Sequence, residues 1–202
     1  MAAPKGAPAP VSIGRAAAEK LAYYKSSQDV AALAPRGWYC FGTYGSAGDT
    51  LFVSPTPINA SSIRAPDWSG MDGPAIEVSY RFGGTSGRFS VAQTLARVFP
   101  DEKDFVNSVM KEGKDQFVFG PYPADTLAYK SKTVVEYATP AQSDGLGTTS
   151  WLKKNASPIS GAAIVFPGAE PDVLFLAVRL PPNLAGLRSA ILQHFERTAH
   201  RE

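Results

Sequence analysis

The sequence predicts an α+β domain with a mostly antiparallel sheet. Three observations lead there. Strand-like and helix-like segments are segregated along the chain instead of alternating, which argues against a parallel α/β sheet. Residues 34–57 read as a β-hairpin: aromatic-rich runs at 38–44 and 50–53 flank Gly45-Ser46-Ala47-Gly48-Asp49. The 18 glycines and 17 prolines among 202 residues favour frequent turns over long helices. The expected layout is an N-terminal helix, a central helical pair and a C-terminal helix around the sheet. One domain covers residues 12–202, after an Ala/Pro-rich tether at 1–11 that is expected to be disordered.

Each element has its own signal. Ser12 is positioned to cap a helix running to about Gln28, with Ile13, Ala17, Leu21 and Tyr24 on one face. Asp29 is positioned to cap a short helical turn at 30–33 that Pro35 ends. After the hairpin, residues 56–74 form an irregular loop punctuated by Pro57, Pro66, Gly70, Gly73 and Pro74. Residues 75–82 alternate apolar with polar and predict a half-buried strand, with Glu77, Ser79 and Arg81 on the wet face. Gly83-Gly84-Thr85-Ser86-Gly87 turns the chain. Ser90 is the expected cap of a helix at 91–99, and Asp101 of another reaching Glu112, with Phe105, Val106, Val109 and Met110 turned inward. Strands follow at 116–119, 126–129, 133–137, 162–166 and 173–180, and Asn183 caps a last helix to about Ala199 with Leu184, Leu187, Ile191 and Phe195 as its stripe.

Composition excludes several chemistries. Twenty basic against 18 acidic residues, without a basic block, give no electrostatic footprint for nucleic acid. No apolar run approaches the roughly 20 residues that a membrane span needs. The single cysteine, Cys40, rules out an intrachain disulfide and any zinc site needing two or more thiolates. The two histidines, His194 and His200, are about 600° apart in helical phase and cannot chelate one metal together. No metal and no cofactor are expected. Cys40 has neither a following helix N-terminus nor an adjacent base to activate it, and reads as a packing residue in a central strand that is covered on both sides, or covered on one and used for binding on the other.

Two loops carry what remains. The 56–74 loop holds Asp67, Trp68 and Asp72, a combination suited to carbohydrate or acid–base chemistry. Residues 143–150, rich in Gly, Ser and Thr and including Asp144, end in Trp151 and Lys153-Lys154. That loop lacks the GxxxxGK[ST] spacing of a phosphate cradle; Asp144-Gly145 marks a turn in what reads first as a linker, with a composition that also suits a partner surface.

The expectation from these features is a non-catalytic exported binding protein acting through protein–protein contact, such as an inhibitor or immunity protein. Its contact residues would be Trp38, Tyr39 and Tyr44 on the hairpin, Asp67 and Trp68 in the long loop, and Asp144 and Trp151 in the glycine loop, because aromatic-centred patches anchor interfaces. In composition and layout the chain resembles small exported α+β proteins of Gram-negative bacteria, some of which are inhibitors or immunity proteins. No residue role is carried over from that resemblance. The expected setting is periplasmic or secreted, with the cytoplasm as the alternative. The competing expectations are a cell-envelope hydrolase using the loop carboxylates, and a carrier of a small ligand or lipid.

Overall fold

The computed structural model describes residues 14–113 and 116–199; the expected tether, Ser12, Ile13 and His200 lie outside the described residues. The N-terminal helix is shorter than its apolar spacing predicts. Helix α1 (Arg15–Lys20) gives way to strand β1 (Leu21–Lys25). Strand β1 pairs antiparallel with β2 (Ala31–Pro35), where a helical turn was expected. Asp29 sits in the connection at φ 66°, a left-handed geometry that reverses the chain instead of capping a helix. Packing explains the override: Leu21, Ala32 and Ala34 are buried against the main sheet, and the Tyr24 hydroxyl donates to the Pro35 carbonyl at 2.9 Å.

The predicted hairpin is present as β3 (Tyr39–Gly45) and β4 (Gly48–Ser54), joined through Ser46-Ala47. Gly48 takes φ 137°, and a Cβ there would lie 2.1 Å from the Tyr80 carbonyl oxygen, so glycine is required. A short helix α2 (Ala60–Arg64), capped by the Asn59 side chain, interrupts the long loop. Next come β5 (Ala75–Arg81), α3 (Arg88–Val98), a 3-10 turn at Pro100–Glu102 and α4 (Lys103–Gly113). The remaining strands are β6 (Thr126–Tyr129), β7 (Val134–Thr139), β8 (Ile159–Phe166) and β9 (Asp172–Arg179). A 3-10 turn at Pro182–Leu187 leads into α5 (Arg188–Thr198).

Seven strands form one antiparallel sheet in the order β3-β4-β5-β9-β8-β7-β6, and β1-β2 form a separate pair. Both faces of the large sheet are covered. On the first face Val91, Leu95, Val106 and Val109 of the helical pair meet Phe52 and Phe175. On the second, the β1-β2 pair and α5 bring Leu21, Ile191 and Phe195 onto Leu51, Val78 and Leu176. This double cover corrects the reading of β5. The strand is buried along its whole length, polar residues included, because the face expected to be wet lies under the helical pair and the loops.

Other boundaries move for local reasons. Helix α3 begins two residues before Ser90, whose carbonyl accepts from Thr94 Oγ1 inside the helix. Asp101 lies in the 3-10 turn, and Asn183 within the turn preceding α5. Residues 116–119 form no strand: Phe117 packs on the helical core and Gly120 N–H donates to the Ala96 carbonyl at 2.9 Å. Cys40 is exposed, and β3 is an edge strand open along most of its length, not a central one covered on both sides. Both runs of the hairpin carry aromatics, but only β4 gains a neighbour on its far side.

Candidate functional site

The β3-β4 end of the sheet combines an open edge with a cleft. Among the described residues, strand β3 pairs only with β4. Its sequence, YCFGTYG, holds no charge and no proline, the devices that usually protect an edge. Tyr39 and Tyr44 are 54% and 74% exposed along it. The opposite edge, β6, has four residues and is flanked by Pro123 and Lys130.

Behind the β3-β4 turn lies a cleft of about 400 Å³ on the helical face of the sheet. Register builds its floor: Thr43, Thr50 and Ser79 stand opposite one another on β3, β4 and β5, so their side chains share one face. Ser90 of α3, Thr149 and Trp151 complete the wall. Tyr44 and Tyr80 also border the cleft, although alternation sends their rings to the other face.

The cleft also reaches two buried charged residues, Glu77 and Arg81. Glu77 is 1% exposed, and its carboxylate accepts from the Trp151 backbone N–H at 2.7 Å. Burial pushes its acid up to about 7, against the opposing pull of Arg81 and the Trp151 N–H. Arg81, 8% exposed, donates through Nε to Ser79 Oγ and through Nη1 to Thr94 Oγ1, each at 3.1 Å. Its guanidinium lies 4.5 Å from the Phe175 ring centre, which fixes its plane. Burial lowers its proton affinity and Glu77 raises it again. Perturbed charged groups at the base of a concavity are a mark of function.

Two loops that the sequence singles out are bound together at this cleft. Met71 N–H donates to the Trp151 carbonyl at 2.7 Å, and Lys153 N–H to the Met71 carbonyl at 3.0 Å. Gly70 permits the approach: it takes φ 114°, and a Cβ would stand 2.5 Å from the Trp151 carbonyl oxygen. Arg179, buried under both loops, donates through Nη1 to the carbonyls of Met71, Asp72 and Gly73 at 3.1, 3.2 and 3.3 Å, and through Nη2 to that of Lys153. The result brings Trp68 and Trp151 to 4.6 Å between ring centres. The glycine loop itself is closed to anions. Asp125 accepts from Leu146 N–H at 2.7 Å, and Thr139 Oγ1 accepts from Gly147 N–H at 3.0 Å.

The predicted contact residues divide accordingly. Trp68 and Trp151 form a pair, with Trp151 and Tyr44 on the cleft. Tyr39 lies on the open edge, whereas Trp38 is half-buried against the second core. Asp67 is exposed, and Asp144 pairs with Lys154 at 2.9 Å. Asp72 pairs with Lys153 at 3.3 Å. Asp67, Asp72 and Cys40 are not among the residues that line the cleft behind the β3-β4 turn. His194 is buried, its ring 5.7 Å from that of Tyr23, and burial holds its proton affinity low. Sequence reasoning missed Glu77 and Arg81, since polar residues at every second position read as a solvent face. The one available signal was their company: an acid, a hydroxyl and a guanidinium on the same face of a strand otherwise rich in core residues. No protein-family model matches the chain, and no curated protein matches it.

Proposed function

We propose that the protein is a non-catalytic binding protein, and that its partner is another protein whose extended segment adds to β3. The observation that carries this reading is the undefended edge. Seven residues of strand without charge or proline, with two exposed tyrosines, offer main-chain hydrogen bonds for affinity and side chains for specificity. An inhibitor or immunity protein is one form of such a binder. The hydrolase reading gains nothing from the cleft behind the β3-β4 turn, which Asp67 and Asp72 do not line. For the setting, the periplasm or the medium remains the proposal from composition. The exposed Cys40 thiol favours the cytoplasmic alternative, where free thiols stay reduced.

The test uses Cys40→Lys, which places the natural edge-blocking residue on an already exposed position of β3. Native extract from the source organism is passed over both forms, and retained proteins are quantified by mass spectrometry. The wild-type chain is expected to retain a specific protein, and Cys40→Lys to weaken that binding by about tenfold or more, about 1.4 kcal/mol. Retention of no protein, or undiminished retention by Cys40→Lys, would overturn the proposal.

A further inference from the structure

We infer that the cleft behind the β3-β4 turn is a binding site for a neutral saccharide, held by Glu77, Arg81 and the indole of Trp151.

The charges select the ligand class. With Glu77 ionised, it and Arg81 line one cleft with opposite formal charges, so a ligand bearing a net charge gains from one and loses to the other. A neutral polyhydroxylated ligand avoids this conflict. Each of its hydroxyls both donates and accepts, and so serves Glu77 as a carboxylate or as a carboxylic acid, and the donor-only guanidinium as well.

Both groups keep capacity for it. The Glu77 carboxylate has one hydrogen bond among the described residues, from the Trp151 N–H, out of about four lone-pair positions. Arg81 uses Nε and Nη1 on Ser79 and Thr94, which leaves the donors of Nη2. The two are nevertheless fixed in place: one by a backbone amide, the other by two hydroxyls and the Phe175 ring. Rigid polar groups in a shielded site bind at a smaller ordering cost than mobile surface side chains.

The walls agree with the floor. Thr43, Thr50, Ser79, Ser90 and Thr149 surround the cleft with hydroxyls that match a polyol and give little to a lipid. Trp151, 47% exposed and backed by the Trp68 ring at 4.6 Å, provides a flat apolar platform for the C–H face of a sugar ring. At about 400 Å³ the volume is near the lower end of small-molecule sites and suits roughly one or two pyranose rings. Glu77 is the sole carboxylate on this cleft among the described residues. Glycosidic cleavage usually requires a pair of carboxyl groups, so the inference is binding without hydrolysis.

The experiment titrates the full chain with glucose, galactose, mannose, N-acetylglucosamine, maltose and cellobiose by calorimetry and protein-observed NMR. Galacturonic acid and glucosamine serve as the anionic and cationic arms. At least one neutral sugar is expected to bind saturably, with shifts centred on Glu77, Thr50 and Trp151. Trp151→Ala, which keeps the backbone N–H that holds Glu77, is expected to weaken binding by about tenfold or more, about 1.4 kcal/mol. Tyr129→Ala on the opposite edge is expected to leave it unchanged. Absence of saturable binding, preference for a charged sugar, or full affinity in Trp151→Ala would each overturn the inference. No protein partner is present in this assay, so its failure would leave the β3 proposal standing.

Discussion

Glu77 is the residue at which the chemistry of the fold is most exposed to experiment. Its acid, ordinarily at 4.5, is pushed up to about 7 by burial. A folded-state value above the unfolded one means that protonation favours the fold. The stabilisation is complete below about pH 4.5 and is lost as pH rises to about 7, a swing of about 3 kcal/mol. Glu77→Gln keeps an acceptor for the Trp151 N–H and removes the charge. Urea denaturation at pH 5 and pH 8 is expected to show a flatter stability profile for the variant, with the gain at pH 8. Glu196, also pushed up to about 7 by burial and by its neighbour Glu136, keeps part of the slope in both proteins. An unchanged slope in Glu77→Gln would show that the buried carboxylate is already accommodated in its charged form.

At the scale of elements, the informative connection is between two loops with no regular structure to join them. Arg179 gathers four carbonyls from the 71–73 and 153 backbones, and the Met71–Leu152 bridge runs beside it. Arg179→Met fills the space and takes the guanidinium from those carbonyls; Met71 keeps the Lys153 N–H and Asp72 the Asn155 side-chain amide, while Gly73 and Lys153 lose the donor described for them. The substitution is expected to cost at least about 2 kcal/mol and to weaken the near-UV circular dichroism of the Trp68–Trp151 pair, measured together by denaturation and spectroscopy. This connection also marks the limit of what the sequence makes legible. The hairpin, β6 and α4 are local patterns, and they are present within a residue or two of their predicted bounds, whereas the C-terminal helix starts at Arg188, four residues after its predicted start, behind a 3-10 turn. The segment at 21–35 is different. Leu21 and Tyr24 fit a helical period, yet pairing with β2 and burial against the sheet turn them into a strand. Glu77 and Arg81 were hidden for the same kind of reason: alternation reveals that a strand has two faces, not whether both are covered. Of the candidate site, Tyr44, Trp68 and Trp151 were legible as aromatics beside turns. The meeting of Trp68 with Trp151 depends on Gly70 and Arg179, which are far from Trp151 in sequence.

For the whole molecule, stability is expected to be graded from the sheet centre outward. Strands β5 and β9 are flanked on both sides and buried on both faces, while β3 and β6 end the sheet. Native-state hydrogen exchange should therefore be slowest in β5 and β9 and fastest in β3 and β6. Uniform protection across all seven strands would contradict this layered picture. The inequality of the two edges has a further consequence, for stoichiometry. An incoming strand of a different protein finds one long undefended seat per molecule, so the complex is expected to be one to one. Should the incoming strand belong to a second copy, antiparallel pairing by a twofold axis would consume both long edges at once. Only the four-residue β6 strands, each between Pro123 and Lys130, would then remain at the ends. Assembly would stop at two and would not propagate into a fibre: at the sheet, the molecule has a valence of one.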